Sequence, residues 1–114
     1  MKATLLLLFV SVLSYAQTTI IPYGSSWTFT APTSAVPSNW NLASFSASTW
    51  SVGTAQLGYG DGDEATVYPK VVSGATVVTA YFRKSFTITT PTVLTVNMIV
   101  DDGSVVYVNG VEVN

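Results

Sequence analysis

An all-β fold, a β-sandwich or jelly roll, is what this sequence predicts, and three observations predict it. Thr, Ser, Val and aromatic residues are abundant while Glu and Lys are few, which is strand rather than helix composition. Short apolar runs recur along the chain, punctuated by Gly, Asn, Asp and Pro. Two tight-turn signals, Asp101-Asp102-Gly103 and Asn109-Gly110, fall in the last part of the sequence, and both accept the positive φ that hairpin turns demand.

Taken in order, the first segment is an address. Met1-Lys2 gives a short positive start, Leu5 to Val12 an apolar run, and Ser14-Tyr15-Ala16 the small residues of a cleavage site before Gln17. The run is far shorter than the ~20 residues that span a bilayer, so residues 1–16 are expected to be a secretory signal peptide and not a membrane anchor. The mature module is then 17–114, secreted or at the cell surface, with no membrane span.

Within it, Thr18–Tyr23 and Ser26–Thr30 read as strands around a Gly24-Ser25 turn. Ala31–Ser38, with Pro32 and Pro37, reads as a surface loop. Asn39–Trp50 reads as an irregular crossing segment with a helical turn near Ser44–Ser48. Thr54–Tyr59 is a strand, and Gly58–Gly62 a glycine-rich bend into Asp63-Glu64. Val77–Ile88 is the longest strand-like run, ended by Thr90-Pro91. In Val93–Val100, Leu94, Val96, Met98 and Val100 alternate with polar Thr95 and Asn97, the period of a half-buried strand. Val105–Val108 and Val111–Val113 then form a hairpin through Asn109-Gly110.

Composition excludes several chemistries. The chain has no Cys and no His, so a disulfide framework, a Ser-His-Asp triad, a Cys-His pair and a His-based zinc site are absent from it. Without Lys2 the balance is three basic against six acidic residues, too acidic to track a phosphate backbone; no nucleic-acid partner is expected.

The sharpest local feature is Asp61-Gly62-Asp63-Glu64. Hard oxygen ligands on a glycine loop suit calcium, so Asp61, Asp63 and Glu64 are the candidate metal ligands, although the spacing is not that of an EF-hand. The competing reading is an acidic, solvated turn. Asp101 and Asp102 join such a site only if the fold brings two loops together. A glycosidase carboxylate pair is the least supported option, since it needs a cleft and a defined separation. No catalytic residue is assigned.

Aromatic faces also bind the apolar side of sugar rings. Trp40, Tyr59 and Tyr68 are the candidate ligand-binding residues, with Trp40, beside the Pro-rich loop, expected to be exposed. Trp27 and Trp50 are expected in the core, where large rings contribute most of the buried area. Arg83 and Lys84 are read as a structural ion pair or a solvated strand face.

Three stretches carry a family likeness: Gln56-Leu57-Gly58-Tyr59-Gly60-Asp61, Tyr81-Phe82-Arg83-Lys84-Ser85-Phe86, and Asp101 to Val113 with its Asp-Asp-Gly turn before Val106-Tyr107-Val108-Asn109-Gly110. Their order resembles the galactose-binding-domain-like jelly rolls of secreted bacterial proteins. More distantly it is similar to the sugar-binding domain at the front of glycoside hydrolase family 2 enzymes. Ile21 to Trp27 looks like the entry strand of versions in Bacteroidetes-type exported proteins.

The resemblance implies a non-catalytic accessory module of a multidomain protein, binding a polysaccharide or other glycan, with downstream domains of the same chain as partners. Its alternatives are a structural or adhesive spacer without a small ligand, and the N-terminal part of a secreted hydrolase. The family pattern continues for several strands past the Asn-Gly hairpin. The jelly roll is therefore expected to be incomplete at its C-terminus.

Overall fold

Among the described residues nine strands form in chain order: β1 (Ser26–Thr30), β2 (Ser51–Thr54), β3 (Leu57–Gly58), β4 (Thr66–Val67), β5 (Val71–Val72), β6 (Ala75–Thr76), β7 (Tyr81–Arg83), β8 (Val106–Val108) and β9 (Val111–Val113). They belong to a computed structural model that describes residues 17–90 and 93–113; the expected signal peptide, residues 1–16, lies outside the described residues, as does Pro91. The described chain is mostly β, with no helix and about 27% strand. It comprises one three-stranded sheet, β2-β1-β7, and three two-stranded ones.

Alternation along β1 organises the molecule. Trp27 and Phe29 share one face, and Ser26, Thr28 and Thr30 the other. Both neighbours are antiparallel: Trp27 lies opposite Gly53 on β2, and Phe29 opposite Phe82 on β7. The Phe29 and Phe82 rings stack with centroids 6.3 Å apart, and Phe29 is 8% exposed. With Val77 it makes up the buried apolar residues among those described. Gly53 serves close approach: a Cβ there would lie 2.5 Å from Thr66 Cγ2 and 3.0 Å from Phe29 Cε1. Its bare backbone lets Thr66 cross over β2 and donate its hydroxyl to the Thr54 carbonyl at 2.8 Å.

Several elements differ from expectation. Thr18–Tyr23 forms no strand; instead Ser25 donates its N–H and its hydroxyl to the Pro22 carbonyl, closing a turn through Gly24 at φ 77°. The helical turn near Ser44–Ser48 is replaced by successive i to i+3 bonds, Trp40 to Pro37, Leu42 to Asn39, Phe45 to Leu42 and Trp50 to Ala47. Thr54–Tyr59 splits in two: its start stays in register with β1, the Ala55 N–H still bonding the Ser25 carbonyl, whereas β3 pairs with β4 instead.

Of Val77–Ile88 only Tyr81–Arg83 joins a ladder. Beyond it the Ser26 carbonyl accepts the Lys84 ammonium at 2.7 Å, so a side chain stands where the ladder would continue. A β5–β6 hairpin through Ser73-Gly74, φ 50° and 80°, was not expected from the pattern, although Ser-Gly is a turn signal. The Asn109-Gly110 hairpin forms as expected, φ 51° and 82°, between β8 and β9.

Among the described residues Val93–Val100 joins no ladder. Its alternation nonetheless survives in space: Leu94, Val96 and Met98 line an open apolar groove of about 530 Å³ with Val106, Val108 and Val113. Alternation marks a face, but a strand also needs a neighbour for its backbone hydrogen bonds.

Candidate functional site

The acidic bend joins β3 to β4, which lie parallel with Leu57 beside Thr66 and Gly58 beside Val67. Gly60 and Gly62 turn it with φ of 111° and 82°, values that glycine adopts without the Cβ clash. Glu64 closes the loop from inside. Its carboxylate accepts the Asp61 N–H at 3.0 Å and the Gly62 N–H at 2.9 Å, one on each oxygen.

These bonds favour the ionised form. The Asp61 N–H first, then Glu64's own N–H and that of Gly62, hold its carboxyl below the ordinary glutamate value against a smaller opposing effect of desolvation. One oxygen from each of Asp61, Asp63 and Glu64 lies within 4.8 Å of the others. The expected ligand set therefore converges in space, without Asp101 or Asp102 among the described residues. Asp61 and Asp63 are exposed, and Glu64 is already engaged by backbone donors. Three carboxylates also fall well short of the ~6–8 oxygens that calcium takes.

The candidate aromatic residues divide between the two faces of the β2-β1-β7 sheet. On the Phe29 side, Tyr68 packs against Phe29 at 6.1 Å and Phe82 at 6.3 Å, and its ring meets Tyr59 edge-on at 5.5 Å. Burial first, and then the neighbouring Tyr59, raise the Tyr68 phenol above its usual value. Tyr59 is 38% exposed and carries the Lys70 ammonium 5.8 Å above its ring.

Trp40 lies with the other set. Its ring meets Tyr81 at 5.0 Å and Tyr107 at 5.7 Å, both edge-on, while Trp50 packs against Tyr81 at 6.5 Å and Phe45 at 5.6 Å. Tyr81 and Phe82 are adjacent in β7 and therefore point to opposite faces, which is why one short strand serves both clusters. Trp40 is thus partly buried, contrary to its expected exposure, because Tyr81 and the β8–β9 hairpin pack against it. Trp27 and Trp50 are partly buried too.

No family model, curated protein or solved structure matches this chain. What its residues do is accordingly read from their own contacts.

Arg83 is the residue whose importance the sequence concealed. Its guanidinium donates to the carbonyls of Trp40, Leu42 (3.0 Å) and Phe45 (3.5 Å), and it lies 5.2 Å from the centre of the Phe45 ring. These contacts fasten the irregular crossing segment to β7. Lys84 likewise bonds the Ser26 carbonyl and stands 6.0 Å over Trp27. Both cations thus serve backbone carbonyls and ring faces, where an ion pair or a solvated face was expected. The available signal was spacing: Arg83 sits one alternation after Tyr81, hence on the Trp40 side of the sheet.

Proposed function

We propose that this chain is a non-catalytic accessory module of an exported protein, working as a structural or adhesive β-unit. The observation that carries the reading is the engagement of its tryptophans. Trp27, Trp40 and Trp50 are all partly buried, and Trp40 and Trp50 are held by ring edges on the sheet. A glycan platform needs at least one broad aromatic face open to solvent and flanked by acceptors, and none of the three tryptophans stands out in that way.

The galactose-binding-like jelly roll is the architecture we assign to this module. Its support is the open row Leu94, Val96 and Met98 facing Val106, Val108 and Val113, one apolar layer of a two-layer packing. Export rests on the sequence features of residues 1–16, and a role at the front of a secreted hydrolase is compatible with the same module.

A second reading, glycan binding, has one local observation in its favour. Tyr59 is exposed and stands beside Tyr68, Lys70 and the Asp61–Glu64 loop, so an aromatic ring and charged hydrogen-bonding groups share one corner. Titration calorimetry of the chain and of Tyr59→Ala against a panel of soluble polysaccharides separates the two. The structural reading predicts no saturable heat with either protein. Saturable binding abolished by Tyr59→Ala establishes the second reading in its place.

A further inference from the structure

We infer that Asn109 is a site of spontaneous deamidation, selected by its sequence neighbour and gated by opening of the β8–β9 hairpin. The selection is chemical. In succinimide formation the backbone nitrogen of the following residue attacks the Asn Cγ, and the side-chain nitrogen leaves as ammonia. Water then opens the five-membered ring at either carbonyl, leaving an aspartyl or an isoaspartyl residue at position 109. No oxidant or reductant is involved.

A side chain on the following residue hinders the attack. Asn39, Asn41 and Asn97 precede Trp40, Leu42 and Met98, whereas Asn109 precedes Gly110. Asn109 is exposed, and its carboxamide makes no hydrogen bond among the described residues. It sits at the tip of a two-residue connection in which Val108 pairs with Val111.

The gate is conformational. Asn109 and Gly110 have φ of 51° and 82°, the left-handed pair of a tight hairpin turn. Ring closure brings the Gly110 nitrogen nearly eclipsed with the Asn109 Cβ about the Cα–C bond, a ψ far from the ~30–60° of the left-handed region. The reaction therefore proceeds from molecules whose hairpin has opened. Every residue of β9 is exposed, which places the hairpin among the segments that open at low free energy.

The isoaspartyl product has consequences for packing. It carries an extra methylene in the main chain, so the Val108–Val111 register cannot re-form around it. Gly110 packs so closely on Leu42 that a Cβ would lie 2.7 Å from Leu42 Cδ2, and Tyr107 packs on Trp40. Modification at the turn thus loosens the hairpin from the crossing segment.

The test is incubation of the whole chain at neutral to mildly alkaline pH, followed by peptide mapping for a gain of one mass unit and by isoaspartyl methyltransferase labelling. The expected result is label concentrated at position 109, with Asn39, Asn41 and Asn97 as internal controls. Urea should raise the rate at 109 several-fold, since it populates the opened hairpin. Gly110→Ala should lower label at 109 whether or not that variant folds, because the added methyl group hinders ring closure in either state. Label spread evenly over Asn39, Asn41, Asn97 and Asn109, or undetectable at 109, overturns the site. A rate that urea leaves unchanged overturns the gate.

Discussion

Arg83 donates to the backbone carbonyl of Trp40, joining two residues that lie 43 positions apart. Trp40 sits on an irregular stretch built from successive turns, with no strand of its own to hold it against the sheet. The Arg83 fork supplies that attachment, with further bonds to the Leu42 and Phe45 carbonyls. Hydrogen bonds from a charged donor contribute roughly 1.5–3 kcal/mol, so Arg83→Ala should destabilise the chain by about 2–3 kcal/mol. Arg83→Lys should recover only part of the loss, because an ammonium lacks the planar fork. Urea unfolding followed by tryptophan emission measures both; a wild-type midpoint in Arg83→Ala contradicts the attachment.

Gly53 provides a test of packing. A methyl group there meets Thr66 Cγ2 at 2.5 Å and Oγ1 at 2.7 Å, and Phe29 Cε1 at 3.0 Å. Overpacking of this kind costs roughly 1–3 kcal/mol, and Gly53→Ala should show it as a lower melting temperature. Gly53→Ala with Thr66→Ser, which removes the methyl group that is met first, should recover part of the difference.

Glu64 sets a dependence on acid. Its carboxyl is held below the ordinary value by the Asp61 N–H above all, so the folded state binds its proton more weakly than the unfolded state. The resulting stabilisation is fully present above the ordinary glutamate pKa and is lost as pH falls through the lower folded value. Glu64→Gln should flatten that part of the stability–pH curve. A thermal-unfolding series across the acid range in both proteins reads the difference.

The same loop makes a prediction about calcium. With Glu64 engaged by backbone N–H groups and only three carboxylates converging, ~1 mM calcium should change stability by less than about 0.4 kcal/mol, the value for a dissociation constant equal to that concentration. Thermal melts with calcium and with chelator are the check. A larger stabilisation, lost in Asp61→Asn, would show that the loop is a metal site.

Tyr68 makes the corresponding prediction at the alkaline end. Burial, and then Tyr59, raise its phenol, so the folded state retains the proton longer than the unfolded state does. Stability is intact below the ordinary phenol value of ~10 and falls as pH rises from there through the folded value. Ultraviolet titration of phenolate should show a late component that disappears in Tyr68→Phe.

The parts of the fold that were legible in the sequence are those where local chemistry decides. Asn109-Gly110 specifies its own turn through backbone preference, and Ser26–Thr30 alternates and is paired on both sides, by β2 and β7. Val93–Val100 alternates equally well and still joins no ladder among the described residues, because pairing depends on a neighbouring strand and no pattern within eight residues supplies one. The acidic cluster was legible as a cluster, but not the inward turn of Glu64, which depends on N–H groups that only the folded loop aligns. Trp40 was misjudged through its Pro-rich neighbour in sequence; its true neighbours, Tyr81 and Tyr107, are distant along the chain.

The central claim is that the tryptophans hold the fold together and do not receive a ligand. Tryptophan emission of the chain from Gln17 onward, recorded with and without a panel of soluble polysaccharides, tests it most directly. The account predicts the same spectrum throughout, unchanged in intensity and in wavelength. A saturable shift with any one polysaccharide would contradict it and would identify an aromatic face on this sheet as a binding surface.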